Sequence, residues 1–189
     1  MSQRKIIVII SIFTMLFAGL AVAQQDRIAA PVVACPHPIT KTLTAPPPSP
    51  PSLNPSDFSG QLGNAVQGST WNQTKPDHGF GHSFKLPEAG KCCVWTKATL
   101  IVKVKALVGG GVGSSTSVND WVQLVKNGAS VPGTGQQPFA PGPVTAGATA
   151  SVTIAVPQSV LNSGVVSFYV QDDSAVLSAE LRLEGCCIN

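Results

Sequence analysis

Four of the five cysteines stand as two adjacent pairs, Cys92-Cys93 and Cys186-Cys187, at the two ends of one stretch of alternating apolar and polar residues. Thiols at the start and end of a domain can staple its first and last strands together, and such staples persist only in oxidising surroundings. Neighbouring side chains of a strand point to opposite faces, so each pair sends one sulfur to either side. Four cysteines allow three pairings, and the spacing does not choose among them; bridges between adjacent residues are opposed by ring strain. One bridge closing a loop of roughly 93 residues would stabilise the fold by about 4 to 5 kcal/mol in the chain-entropy description. A four-thiolate zinc site is disfavoured, because paired zinc ligands normally have about two to four residues between them and here there are none.

The N-terminus points to the same compartment. Arg4 and Lys5 precede an apolar run from Ile6 to Leu20, and Ala21-Val22-Ala23 has the small-residue form of a cleavage site. This reads as a secretory signal peptide over residues 1–23. The run is shorter than the about 20 residues a membrane span needs, and no later segment could span a membrane. Removing Arg4 and Lys5 leaves ten basic side chains against nine acidic ones, so the net charge falls from +3 to +1. A balance that near neutral gives no footprint for nucleic acid. Charged residues make up only 11% of the chain, against about 25% in ordinary globular domains. The expected setting is therefore secreted, extracellular, at the cell surface or in a periplasm.

Residues 24–56 read as a disordered linker or tail. Ala45-Pro46-Pro47-Pro48-Ser49-Pro50-Pro51 cannot form a helix or a central strand, because proline fixes φ and lacks a donor. Cys35 stands ahead of this run in Cys35-Pro36-His37-Pro38. As the odd thiol it can link two chains into a homo-oligomer, pair with a cysteine of the domain, or stay free.

Residues 57–189 read as one domain with a period of two. Phe80, His82, Phe84 and Leu86 share one strand face. Ala98, Leu100, Val102, Val104 and Ala106 share the next. Val118 to Lys126 is ended by the Asn127-Gly128 turn signal. Ala148 to Val156 alternates, Val166, Phe168 and Val170 follow, and Leu177, Ala179, Leu181 and Leu183 alternate with polar residues. Only Gln158 to Asn162 has the look of a helical turn. Short strands separated by Gly/Pro/Ser loops predict an all-β, antiparallel, jelly-roll-like β-sandwich.

Candidate chemistry is sparse. Asp77-His78-Gly79-Phe80-Gly81-His82 is the one His/Asp cluster, with Asp77, His78 and His82 as candidate ligand or metal residues. The pairs Asn119-Asp120 and Asp172-Asp173 lie near strand ends, where oxygens can hold Ca²⁺ or simply bond local backbone donors. No other cofactor is expected. There is no G-x-S-x-G motif and no legible Ser/His/Asp set. Trp71, Trp95, Trp121 and Tyr169 are the large amphipathic aromatics, and Asn72-Gln73-Thr74 is an N-glycosylation sequon. The glycine run Gly109 to Gly113 lacks the ending of a phosphate loop and reads as a strand connection.

Taken together, Phe80-Gly81-His82-Ser83-Phe84, Ala98-Thr99-Leu100-Ile101-Val102, Ser117-Val118-Asn119-Asp120 and Tyr169-Val170-Gln171-Asp172-Asp173-Ser174-Ala175-Val176 resemble a set of motifs. They are similar to those of a group of secreted bacterial β-sandwich domains of unassigned activity. The resemblance implies the fold and the extracellular setting, and no activity. The expected role is a non-catalytic extracellular or cell-surface binding module, since a surface poor in charge and rich in Ser, Thr and Gly suits glycan or envelope contact; exposed aromatics on one face or loop rim are then expected. A structural subunit of a filament or coat, with exposed sheet edges, is the second reading. A hydrolase using Asp120, Asp172 or His82 is the third, and requires those residues to converge.

Overall fold

The computed structural model describes residues 35–45, 50–109, 121–138, 144–171 and 173–188. The expected leader over 1–23 lies outside them, as do Pro46 to Ser49, Asn119, Asp120 and Asp172. Nine strands, β1 (His37–Ala45), β2 (Phe80–Lys85), β3 (Cys93–Ala106), β4 (Trp121–Lys126), β5 (Ala129–Ser130), β6 (Gln137–Pro138), β7 (Thr149–Val156), β8 (Val165–Val170) and β9 (Ser174–Cys187), form two antiparallel sheets. The described residues also form two short helices, α1 (Gln61–Ala65) and α2 (Gln158–Leu161). One sheet has the order β1-β9-β3-β7 and the other β2-β8-β4-β5, with β6 also paired to β4. The expected β-sandwich is what the chain forms. No helix of the described residues is long and apolar enough to cross a membrane.

The alternation read from the sequence is the packing code. Leu100, Val102 and Val104 of β3, Val152 and Ile154 of β7, and Leu181 and Leu183 of β9 face inward against Phe80, Phe84, Leu124, Val166 and Phe168 of the other sheet. Burial of this face removes apolar surface from water, at about 25 cal/mol per Å². The Asn127-Gly128 signal is a tight hairpin: both residues have positive φ, 51° and 76°, the backbone that a two-residue I′ turn needs. Of the expected strand Val118 to Lys126, Trp121 to Lys126 is β4, and residues 118–120 lie outside the described residues.

Two departures concern β9 and the linker. Leu177 was expected on the inner face, but the register with β3 shifts between Lys103 and Val104, so that Ser178 opposes Lys103 and Val176 opposes Val104. Leu177 is the extra residue of a β-bulge, which turns the strand's face over. Val176 is fully buried in its place. A second shift lies between Trp95 and Lys97. Opposite it, a Cβ on Gly185 would come within 2.6 Å of the Val94 carbonyl oxygen, so only glycine fits.

The second departure is that the stretch read as tail contains β1. His37 to Ala45 pairs residue for residue with β9, from His37 opposite Cys187 to Ala45 opposite Ala179. Ile39, Leu43 and Ala45 turn toward the core, and Thr40, Thr42 and Thr44 are exposed. Only one face of an edge strand is packed, and Pro38 is tolerated there because an edge strand has a row of groups with no ladder partner.

The strand β1 also decides the cysteine chemistry. The bridges are Cys35–Cys186 and Cys93–Cys187, with Cα–Cα separations of 5.6 and 3.9 Å. Cys93 and Cys187 are direct partners in the β3/β9 register. Cys186, on the opposite face of the same strand, reaches Cys35 just before β1. The bridges thus clasp three neighbouring strands at one end. Cys35 is therefore an intramolecular partner and not a thiol available between chains. Cys92, expected among the bridged cysteines, is the free and exposed one. It lies in the turn before β3 with φ 56°, outside the ladder that aligns Cys93 with Cys187. Structural disulfides of this kind are typical of extracellular proteins.

Candidate functional site

A polar cleft of about 320 Å³ lies over the loop that leads into β2. Its walls include Thr70, Asn72, Gln73, Thr74, Lys75 and His78. The loop is held from below by side chains that the sequence marks only as polar. Gln73 is buried, and its Nε2 donates to the His78 carbonyl at 2.6 Å and to the Ser174 carbonyl at 3.0 Å. The Asn72 amide donates to the Val176 carbonyl at 2.8 Å, and Lys105 Nζ donates to Asn72 Oδ1 at 2.9 Å. Both anchors come from the first residues of β9 and the end of β3, so the cleft floor is tied to the disulfide-clasped sheet. Asn72 and Asp77 take left-handed φ of 51° and 65°. Asn and Asp adopt that region more readily than other side chains, and the two residues bracket the loop.

Close packing fixes the loop's exit. A Cβ on Gly79 would sit 2.7 Å from Tyr169 Cε2 and 2.9 Å from the Ala65 carbonyl oxygen. Ser69 Oγ donates to the Val66 carbonyl and lies 3.1 Å from that of Gly79. Trp71 packs its ring on Phe80 at 4.7 Å and on His82 at 5.3 Å. Beneath the loop, Trp71 Nε1 and Ser174 Oγ are buried with no hydrogen-bond partner among the described residues. The cleft brings together amides, hydroxyls, the His78 imidazole and the Lys75 ammonium, groups suited to hydrogen-bonding a polar ligand.

The expected His/Asp cluster is divided by the fold. His78 and Asp77 are exposed on the loop, and His78 lines the cleft. His82 lies inside the sandwich mouth, 6% exposed, in ring contact with Trp71, Phe84 and Phe168. Its Nδ1 accepts the Ser52 amide at 3.0 Å, so the neutral ring carries its proton on Nε2. Burial lowers its pKa to about 4. His82 is thus a neutral histidine at ordinary pH. It borders a second groove of about 330 Å³ between β1 and β2, beside Leu43 and Phe84. Asp173 is described, and its carbonyl accepts the Leu107 amide at 2.9 Å. Among the described residues no three His, Cys, Asp or Glu side chains gather as a metal site. Asn119, Asp120 and Asp172, the other candidate calcium or acid residues, lie outside the described residues.

One polar group was not singled out from the sequence. Asp57 is 5% exposed. Its Oδ2 accepts Ser167 Oγ at 2.6 Å and Asn54 Nδ2 at 2.8 Å, and its Oδ1 accepts the Asn127 amide at 3.2 Å. Ser83 Oγ lies 2.8 Å from Ser167 Oγ and accepts the Asn54 amide. Hydrogen accounting orders the chain as Asn54 amide to Ser83 to Ser167 to Asp57. Ser83 and His82 are consecutive in β2 and so face opposite sides of the sheet. The network is therefore no Ser/His/Asp triad; it fastens residues 54–58 across the outer face of the second sheet. The Asn54-Pro55-Ser56-Asp57 turn, with Asn54 and Asp57 bonded to each other, was its legible signal.

The aromatic platform expected of a carbohydrate binder is not present among the described residues. Trp71, Trp95 and Trp121 are half-buried and Tyr169 is buried. The exposed large apolar side chains are Leu53, Val94 and Ile188. No protein-family model matches the chain, and no curated protein matches it in sequence.

Proposed function

We propose that this protein is a secreted, non-catalytic binding module of the extracellular space or cell surface, and that the Asn72–His78 cleft takes a segment of polyhydroxylated ligand, a glycan. The observation that carries the reading is the chemistry of the cleft: preset amides, hydroxyls and an imidazole around about 320 Å³, with Lys75 as the one permanent charge in the lining. Side-chain amides both donate and accept, as sugar hydroxyls do. An ammonium with no carboxylate beside it in the lining favours an acidic sugar such as a uronate. Recognition by hydrogen bonds without stacking gives modest affinity per site, around the millimolar range that corresponds to about 4 kcal/mol.

The test is a pull-down and glycan array with neutral and uronate-bearing polysaccharides. Binding to acidic polymers that K75A and T74A reduce would support the reading. No binder on the array, or binding indifferent to both substitutions, would remove it.

A further inference from the structure

The polar surface of the cleft does not stop at the loop. Lys105 Nζ donates to Oδ1 of the cleft-wall residue Asn72 at 2.9 Å, and the Asn72 amide is bonded to Val176 of β9. The loop therefore abuts the outer face of the first sheet, and Lys105 marks the place where the two meet. Val102 and Val104 are buried, so Lys103 and Lys105, which alternate with them, stand on that outer face. The two lysines are about 7 Å apart along the strand.

The cross-strand neighbours of these lysines are uncharged. Lys103 stands opposite Ser151 of β7 and Ser178 of β9, and Lys105 opposite Thr149 and Ala175. Lys103, Thr149 and Ser151 are exposed. Neither lysine makes an ion pair among the described residues. The same face is built otherwise toward the disulfide clasp, where Lys97 pairs with Glu184 and Arg182 with Glu180. Cations and carboxylates thus neutralise one another over that half of the sheet, while the half beside the cleft keeps its ammonium groups among hydroxyls.

We infer that Lys105 and Lys103 prolong the cleft into a strip for an acidic polysaccharide, a polyuronate held at Lys75 and lying across the outer face of β3. The inference rests on the glycan reading of the cleft and adds to it a chain length and a direction. Charge complementarity names the occupant. A polyuronate carries a carboxylate on each sugar with hydroxyls between, and the strip offers ammonium groups spaced among serine and threonine hydroxyls, which both donate and accept. Each exposed ammonium contributes little by itself. Once the cleft holds one sugar, however, the next carboxylates meet Lys105 and Lys103 as tethered groups at high effective concentration.

The experiment is an NMR titration of the secreted chain with polygalacturonate and with the galacturonate trimer, affinity being counted per uronate residue. The polymer is expected to bind more tightly than the trimer, and to shift the amide resonances of Lys103 and Ser151 where the trimer shifts only those of the cleft. K103Q should weaken polymer binding about two- to fivefold and leave trimer binding unchanged, while K103R keeps the polymer's affinity. S151D, which sets a carboxylate beside Lys103, should act as K103Q does. Both positions are exposed, and equal thermal unfolding midpoints check the fold of each variant. A polymer that binds no more tightly than the trimer, or one indifferent to both K103Q and S151D, would overturn the strip and leave the cleft reading standing. No shift with either ligand would remove the cleft reading and the strip with it.

Discussion

Ser167 Oγ donates to Asp57 Oδ2 at 2.6 Å in a fully enclosed contact that joins two residues 110 positions apart. The carboxylate has three donors, one from a side chain of β8, one from its own turn and one from the β4–β5 hairpin. Removing an acceptor from buried donors costs each donor its desolvation, about 1 to 3 kcal/mol apiece. D57A should therefore destabilise the fold by about 3 kcal/mol or more, and S167A by less, because Asp57 keeps two donors. Urea unfolding of the three proteins measures this; equal midpoints for D57A and wild type would show the network to be ornamental.

The buried imidazole of His82 sets a pH dependence. Its folded pKa is lowered to about 4 by burial, against about 6.5 in an unfolded chain. Between these values the unfolded state binds the proton and the folded state does not. Stability is therefore full above about pH 6.5 and falls as the pH drops toward 4, by at most about 1.4 kcal/mol per pH unit. Protonation also places a second hydrogen against the Ser52 amide. The informative quantity is the difference between wild type and H82Q, which isolates the imidazole. That difference should shrink on acidification from pH 7 to pH 4; a constant difference would contradict the assignment.

Much of this fold could be read from the chain because its strands follow a period of two, with Leu100, Val102 and Val104 on one side and Thr99, Lys103 and Lys105 on the other. What was not legible had local causes. The β1 strand was masked by the prolines around it and by threonines on its open face. The bulge at Leu177 changes parity without any local sequence mark. Cys35 was set apart from the bridges because β1, the strand it precedes, was read as tail, and Cys92 took its place among the expected bridges. The cleft was visible only as separate fragments, a sequon and a His/Asp pair, since its floor is built by Gln73 reaching Ser174, 101 residues away.

The cysteine assignment makes a chemical prediction. One thiol per native chain should react with a maleimide, and peptide mapping should place it at Cys92. C92S should change stability by less than about 0.5 kcal/mol, as for other exposed substitutions. Replacing both Cys93 and Cys187 by serine opens a loop spanning a sequence separation of 94 and should cost about 4 to 5 kcal/mol. A mapped Cys92–Cys187 bridge in the wild type would refute the pairing.

The entrance to the cleft should be intolerant of the smallest side chain. At Gly79 an added methyl would meet the Tyr169 ring at 2.7 Å and the Ala65 carbonyl oxygen at 2.9 Å. Neither can withdraw freely, since Tyr169 is buried with Val66 and Phe58 and the carbonyl is backbone. Overpacking of this kind costs about 1 to 3 kcal/mol. G79A should lower the unfolding midpoint by that amount, and shift the amide resonances of residues 69 to 79 as the loop rises. Gly68, by contrast, has nothing within 4 Å of its Cβ position but a φ of +77°. G68A should therefore show only the milder penalty of a strained backbone, about 1 kcal/mol, with the cleft resonances in place. A G79A protein as stable as wild type would show that the loop is not packed onto Tyr169, and would take the rigidity of the cleft with it.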